Sequence, residues 1–446
     1  MTSPTRAETE AALRACEQAV ARNSSNLIAW HNMGVELRRL DRLEEALAAI
    51  ETALAGGLQA PETAVMRAHL LGDFGRFDEA VSAYHHAIAI KPDLIDAHET
   101  LSRLLPQIGR RAEAFDAYHN ALRASPGSGA LWVSALSAAK DMRDADQLFS
   151  WIADIETRFG PEPFLNVLAA QAYSWQGQDV TAMDRLRSAI AIEPENSGAQ
   201  ATLAHVAVRL GDMAMAETAA LNATRIDPTN QSAWALLTVI WRLTGDPREH
   251  WLADYRRFVM PIDLRGIDLA ATATALNARH VTRVHPADQS LRGGTQTRGN
   301  LFDKSDPAIV ALRRSIEGAM IWAIATLPRD PDHPFLKRIT EGATFAGSWS
   351  VRLSQSGFHI SHIHQNGWLS SAAYIALPSD VDGTSDSGAL AFGIPDAELK
   401  QDLPPRRVVR PRVGQLVLFP SYLWHGTLPF AAGEPRLTVA FDALPV

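Results

Sequence analysis

Ser361-His362-Ile363-His364-Gln365-Asn366-Gly367-Trp368-Leu369-Ser370 runs on into Ala372-Ala373-Tyr374-Ile375-Ala376-Leu377-Pro378. It sets two imidazoles two residues apart at the head of an apolar, strand-like run. Side chains on a β-strand alternate between faces, so His362 and His364 are expected to point the same way. Two imidazoles close together on one face make half of a metal site. The other half is expected on a neighbouring strand downstream. Gly414-Gln415-Leu416-Val417-Leu418-Phe419-Pro420-Ser421-Tyr422-Leu423-Trp424-His425-Gly426 offers His425 for it. Eleven residues later comes Arg436, inside the strand-like Arg436-Leu437-Thr438-Val439-Ala440-Phe441.

A His, a short-spaced second ligand, a distant His and a following Arg: this order resembles the iron(II) and 2-oxoglutarate dependent oxygenases. Within them it looks most like a bacterial branch often found behind tetratricopeptide repeats. The patterns of that branch are matched by Asp288-Gln289-Ser290-Leu291-Arg292-Gly293-Gly294-Thr295-Gln296-Thr297 and by Gly347-Ser348-Trp349-Ser350-Val351-Arg352-Leu353. They are matched again by the His362 stretch and by Phe419-Pro420-Ser421-Tyr422-Leu423-Trp424-His425-Gly426, and Gly388-Ala389-Leu390-Ala391-Phe392 resembles the turn and strand between them. The resemblance runs from Pro261 to the C-terminus.

The resemblance implies Fe(II) as cofactor, with 2-oxoglutarate and O2 as cosubstrates. The expected reaction is oxidative decarboxylation to succinate and CO2, coupled to hydroxylation of a substrate. His362 takes the first ligand place and His425 the distal one. At the middle place, where Asp or Glu is usual, stands His364. A neutral imidazole there lowers the negative charge of the site, so His364→Asp should tighten its hold on Fe²⁺. Three ligand sets remain open: three His, two His with water, or two His with the Asn366 oxygen. The first is preferred. Arg436 is the expected anchor for the far carboxylate of 2-oxoglutarate, because a planar guanidinium grips a carboxylate with two hydrogen bonds. Thr438 shares its strand face and can add a hydroxyl, and Tyr374 is a further candidate. His359, on the opposite face by strand parity, is left out of the site. Trp349, Trp368 and Phe419 are expected in the barrel core.

The N-terminal half repeats itself. Ala46, Ala80, Ala114, Ala182 and Ala216 fall on one constant spacing or its double, as do Gly75, Gly109, Gly177, Gly211 and Gly245. Pro92, Pro126, Pro194 and Pro228 follow the same arithmetic. A period of about 34 residues made of paired helical patterns is the signature of the tetratricopeptide repeat. The small Ala fits where two helices cross, the Gly closes the first helix in a left-handed turn, and the Pro marks the joint. Six to seven units are expected, with that around Gly127 to Gly160 least regular. Such arrays stack into a superhelix with a concave groove. That groove is read as a protein or peptide binding surface; the plainer alternative is that it packs only on the chain's own second half.

The period stops at Gly245-Asp246-Pro247, and Met260-Pro261-Ile262-Asp263 is read as a break. Ala270 to Asn277 and Pro307 to Leu327 read as bracing helices, the second with Ile309, Leu312, Ile316, Ala319 and Ala323 at helical spacing. From Gly347 on, short strands alternate with Gly, Ser, Asp and Pro clusters, suggesting a double-stranded β-helix, or jelly roll. The expected architecture is therefore a multidomain α and β chain. An all-α tetratricopeptide-repeat solenoid spans 1–250, and a jelly-roll domain with bracing helices spans 251–446.

The 446 residues suffice for two cores. A net charge of −8 argues against nucleic acid, which selects a basic face. The single cysteine, Cys16, excludes an intramolecular disulfide and a cysteine zinc cluster. No run of about 18 apolar residues calls for a membrane span. Met1 to Glu8 has no signal-peptide core, and a cytoplasmic location is expected. Two rival functions stand beside the dioxygenase. One is a non-catalytic repeat scaffold with a degenerate jelly roll, favoured by the missing carboxylate. The other is a repeat-containing glycosyltransferase, which would need a doubly wound domain that the short strands do not provide.

Overall fold

The computed structural model describes residues 6–282, 290–431 and 433–446. Asp288 and Gln289 of the Asp288–Thr297 motif and residues Met1 to Thr5 lie outside the described residues. The first half is a run of antiparallel helix pairs. After α1 (Arg6–Arg22) come α2 (Leu27–Arg39), α3 (Leu43–Ala55), α4 (Pro61–Asp73), α5 (Phe77–Ile90), α6 (Ile95–Gln107) and α7 (Asp116–Ala124). The array continues with α8 (Gly129–Asp141), α9 (Ala145–Phe159), α10 (Pro163–Trp175), α11 (Asp179–Ile192), α12 (Ser197–Leu210), α13 (Met213–Ile226) and α14 (Gln231–Thr244). The even-numbered helices begin at Leu27, Pro61, Ile95, Gly129, Pro163, Ser197 and Gln231, one repeat period after another without a slip. The column alanines Ala46, Ala80, Ala182 and Ala216 are fully buried in their helices, and Ala114 is equally buried in the turn that leads into α7. The irregular unit keeps the geometry although Leu148 fills the alanine place, buried in a local core with Trp151 and Tyr118.

The glycines between paired helices all take left-handed backbone, from Gly75 at φ 73° to Gly245 at φ 70°. The same column has two exceptions, Asp41 and Arg143, which adopt φ 61° and 53° without being glycine. A side chain in this conformation costs about 1 kcal/mol, so a compensating contact is expected. Both have one. Asp41 binds Arg279 at 2.7 Å and Lys304 at 3.2 Å, and Arg143 binds Glu398. All three partners belong to the second half, so the strained turns are where the solenoid grips it.

After α15 (Arg248–Leu252) and α16 (Tyr255–Phe258) the chain enters β1 (Met260–Asp263). The sequence read this segment as a break; it is instead an edge strand, where Pro261 costs no ladder bond. Then follow α17 (Leu269–Asn277), β2 (Leu291–Gln296), α18 (Pro307–Thr326), β3 (Ala343–His359), β4 (Leu369–Ala376) and β5 (Leu390–Phe392). The chain closes with β6 (Arg407–Val409), β7 (Gln415–Pro420), β8 (His425–Thr427) and β9 (Arg436–Pro445). Among the described residues the strands form two open antiparallel sheets. One has the order β1-β7-β4-β9-β3-β2 and the other β6-β5-β8.

The two halves share one apolar core, from Ala170 and Leu186 of the repeats through Trp241 and Ile316 to Phe419 and Phe441. Polar contacts fix the join. Arg209 pairs with Asp179 at 2.6 Å, both nearly buried, and Lys400 reaches the same carboxylate at 3.0 Å. Arg209 also donates to the Glu398 carbonyl, Arg242 to those of Gly393 and Pro404, and Arg406 grips Glu249 with two bonds. Losing one partner of such a buried pair costs about 3–5 kcal/mol. The solenoid therefore does pack on its own second half, but it leaves a cleft of about 1460 Å³ between them. No helix among the described residues is long and apolar enough to cross a membrane.

Candidate metal centre

His362 and His364 do not lie in a strand. β4 begins only at Leu369, and the Gln365-Asn366 turn separates it from the histidines. The backbone still fixes both. His362 exchanges two 3.0 Å backbone bonds with His425, the first residue of β8, and the His364 amide donates to the Ser421 carbonyl. The three rings meet. Their centroids lie 4.3 Å apart for His362 and His425, and 5.1 Å from each to His364. One ligating nitrogen from each lies within 4.8 Å of the other two. Asn366 is exposed in the turn beyond.

Each ring has its Nδ1 occupied by an acceptor. His362 Nδ1–H donates to the Ile360 carbonyl and His425 Nδ1–H to that of Leu423, both at 2.9 Å. His364 Nδ1–H donates to the Asp442 carboxylate at 2.8 and 2.9 Å. A carbonyl or carboxylate can only accept, so all three imidazoles are held as Nδ1–H tautomers with Nε2 left as a lone-pair donor. Ser370 in turn donates to Asp442 at 2.7 Å. Burial, then the nearby His364, pushes the His362 imidazole down to about 3. Burial, then His362 and His364, holds His425 well below the usual histidine range. Phe419 packs 4.5 Å from the His425 ring, the apolar backing that causes this.

His359 is closer than strand parity allows. Its ring lies 5.7 Å from that of His362, and the Ser290 hydroxyl bridges His359 Nδ1 at 2.9 Å and His362 Nε2 at 3.2 Å. The strand ends at His359, so alternation no longer applies beyond it. Trp368 and Phe419 are buried as expected, whereas Trp349 lines the cleft and lies nearly parallel to His364 at 5.9 Å.

Arg436, Thr438, Ala440 and Asp442 alternate along β9 and all line the cleft that holds the histidines. Arg436 is 2% exposed, and among the described residues it has no acidic partner. Its Nε makes no hydrogen bond among the described residues. Its guanidinium carbon sits 5.0 Å from the Tyr374 ring centre. Tyr374 is buried beneath the arginine rather than on the cleft wall. Burial lowers the guanidinium's pKa, and the adjacent tyrosine opposes this. A buried cation with unmet donors is costly unless an anion completes it. The donors present thus fit both groups that the resemblance implies: neutral imidazole nitrogens suit iron(II), and a lone buried guanidinium suits a carboxylate.

No curated protein matches the chain. Among solved structures it is similar to YrrB, described as a TPR protein with an unusual peptide-binding site, at 19% identity and TM-score 0.31. That match covers 42% of this chain and 97% of the other. It is also similar to the C-terminal part of a TPR repeat-containing protein from Cytophaga hutchinsonii, at 16% identity and TM-score 0.40, covering 51% and 94%. A tetratricopeptide repeat protein from Parabacteroides merdae matches at 17% identity and TM-score 0.34, covering 53% and 93%. Residues 61–94 match the family described as "Tetratricopeptide repeat" and residues 347–442 the family described as "Putative 2OG-Fe(II) oxygenase". Within this chain, then, an oxygenase-family match at 347–442 lies behind a tetratricopeptide-repeat match at 61–94.

Proposed function

We propose that this protein is an Fe(II)/2-oxoglutarate-dependent dioxygenase that hydroxylates a protein or peptide engaged by its repeats. One observation carries the reading. Three imidazoles, each with its Nδ1–H held by an acceptor, share a cleft with a buried arginine that has no acidic partner among the described residues. His362, His364 and His425 would hold the iron, and Arg436 would hold the far carboxylate of 2-oxoglutarate, with Thr438 beside it. The Tyr374 ring supports the guanidinium from below. Bound iron supplies activation of dioxygen, which couples decarboxylation of 2-oxoglutarate to hydroxylation of a C–H bond. The chain's own residues orient and shield. The Ile360 and Leu423 carbonyls and the Asp442 carboxylate fix the imidazole tautomers, and Phe392 and Phe419 keep water from the His425 side. His425 belongs to the small sheet and Asp442 to the large one, so the site spans both. That supports reading the two sheets as the halves of a jelly roll.

Iron-loaded protein should form succinate from 2-oxoglutarate, and the metal-free protein should not. The rival reading, a non-catalytic scaffold, draws on the absence of a carboxylate among the metal ligands. It gains if iron-replete protein consumes no 2-oxoglutarate with or without added peptide.

A further inference from the structure

The cleft of about 1460 Å³ is larger than the roughly 300–1,000 Å³ that a small-molecule site needs, so 2-oxoglutarate leaves most of it unfilled. Its second wall is the solenoid. Phe164, Gln171 and Trp175 of α10 and His205 of α12 line the same cavity as the three imidazoles. Phe164 is 41% exposed and belongs to no apolar core, which is unusual for a large aromatic inside a cleft. Gln171 and His205 lie one repeat period apart, at equivalent places on successive first helices. Neither side chain makes a hydrogen bond among the described residues. Burial pushes His205 down to about 4, so its ring is neutral.

Equivalent helices of successive repeats that pack on one another, as α10 and α12 do, sit about 10 Å apart. Three residues of extended polypeptide cover about the same distance. Gln171 and His205 therefore offer uncommitted polar groups at the repeat of an extended backbone, with Phe164, Val167 and Leu168 alongside for an apolar side chain. The cleft's charges largely answer one another. Arg143 pairs with Glu398 and Lys140 with Asp141, and the other lining charges balance in number, Arg292, Arg338 and Arg436 against Asp227, Asp396 and Asp442. Such a wall gives little attraction to a polyanion and suits a neutral chain. Val167 and Leu168 add apolar surface that offers a sugar's hydroxyls no hydrogen bond, which suits a peptide side chain better.

We infer that the solenoid is the substrate-facing wall of the reaction site. Phe164, Gln171 and His205 bind an extended, uncharged polypeptide segment with a large apolar residue near its target residue. This rests on the dioxygenase reading for its chemistry, but not for its binding. The protein, loaded with Fe²⁺ and 2-oxoglutarate under nitrogen, is applied to an array of random dodecapeptides and to a glycan array. Selected peptides are then titrated against the parent, Phe164→Ser, Gln171→Leu and His205→Leu. Uncharged peptides with a large apolar residue should be selected, and each variant should weaken them about tenfold. Iron and 2-oxoglutarate affinities, measured by calorimetry on the same samples, should change less than twofold. Phe164 supports no core, so its loss leaves melting unchanged and separates binding from folding. Equal peptide affinity in all four proteins overturns the inference, as does selection of glycans alone or of no peptide. A parent that selects peptides but takes up neither iron nor 2-oxoglutarate keeps the wall and sinks the dioxygenase instead.

Discussion

His364 Nδ1–H donates to the Asp442 carboxylate at 2.9 Å, so the carboxylate absent from the metal-facing set stands directly behind one of its imidazoles. A carboxylate behind a ligating histidine fixes its tautomer and raises its basicity. Asp442→Asn should therefore weaken Fe²⁺ binding about 10- to 100-fold, with Arg436 and its 2-oxoglutarate contacts untouched. Metal titration of the variant against the parent checks this. Unchanged affinity would mean that His364 is not a ligand.

The same contact revises what a carboxylate at position 364 would do. From the sequence alone His364→Asp restores the usual ligand set. In the structure it places a second carboxylate near Asp442 and removes the ring that spans from that residue to the metal. Like charges so close raise one of the two pKa values strongly. His364→Asp should bind Fe²⁺ more weakly than the parent, and His364→Asp with Asp442→Asn should recover part of the loss. If the single variant binds more tightly, the pair does not act as described.

Arg436 tests whether the cleft takes 2-oxoglutarate. Arg436→Lys keeps the charge but loses the planar fork, and Arg436→Ala leaves an incoming carboxylate unpaired. Calorimetry under nitrogen should show 2-oxoglutarate affinity falling about 10- to 100-fold in Arg436→Ala and less in Arg436→Lys. Iron affinity should stay near the parent's. Equal 2-oxoglutarate binding in all three proteins would remove Arg436 from the site.

Acid should destabilise the metal-free protein. His362 is held at about 3, and His205 and His280 at about 4, in each case chiefly by burial. Unfolded, each takes up a proton near 6.5. Between those values the unfolded chain binds more protons than the folded one, so stability is lost as pH falls below about 6.5. Thermal melting of metal-free protein should drop from pH 7 to pH 5. His280→Gln should make that drop smaller, since it removes one of the contributing groups. A melting temperature independent of pH across this range would show that these rings are not buried as described.

Much of the molecule was legible in its residues. The even spacing of Ala46, Ala80 and Ala114 located the repeats, because each repeat buries its small residue against neighbours close in sequence. The pairing of Arg436 with Thr438 on one face followed from strand alternation. The same parity, carried four residues further, reaches Asp442, so that signal was present and unused. Alternation failed at His359 and His362, where the strand ends and a backbone bridge to His425 takes over.

Other features belong to tertiary structure alone. Nothing near Gln171 or His205 in sequence connects them to His362, which lies in the other half of the chain. Their meeting depends on the superhelical path of the solenoid, a sum of small rotations between repeats that no single repeat encodes. It depends equally on contacts such as Asp41 with Arg279 and Arg209 with Glu398, which hold that path against the sheets. Residue patterns report which faces are apolar and which turns are left-handed, because those are local consequences of backbone geometry. Which faces then oppose each other across the cleft is decided by packing between distant parts of the chain.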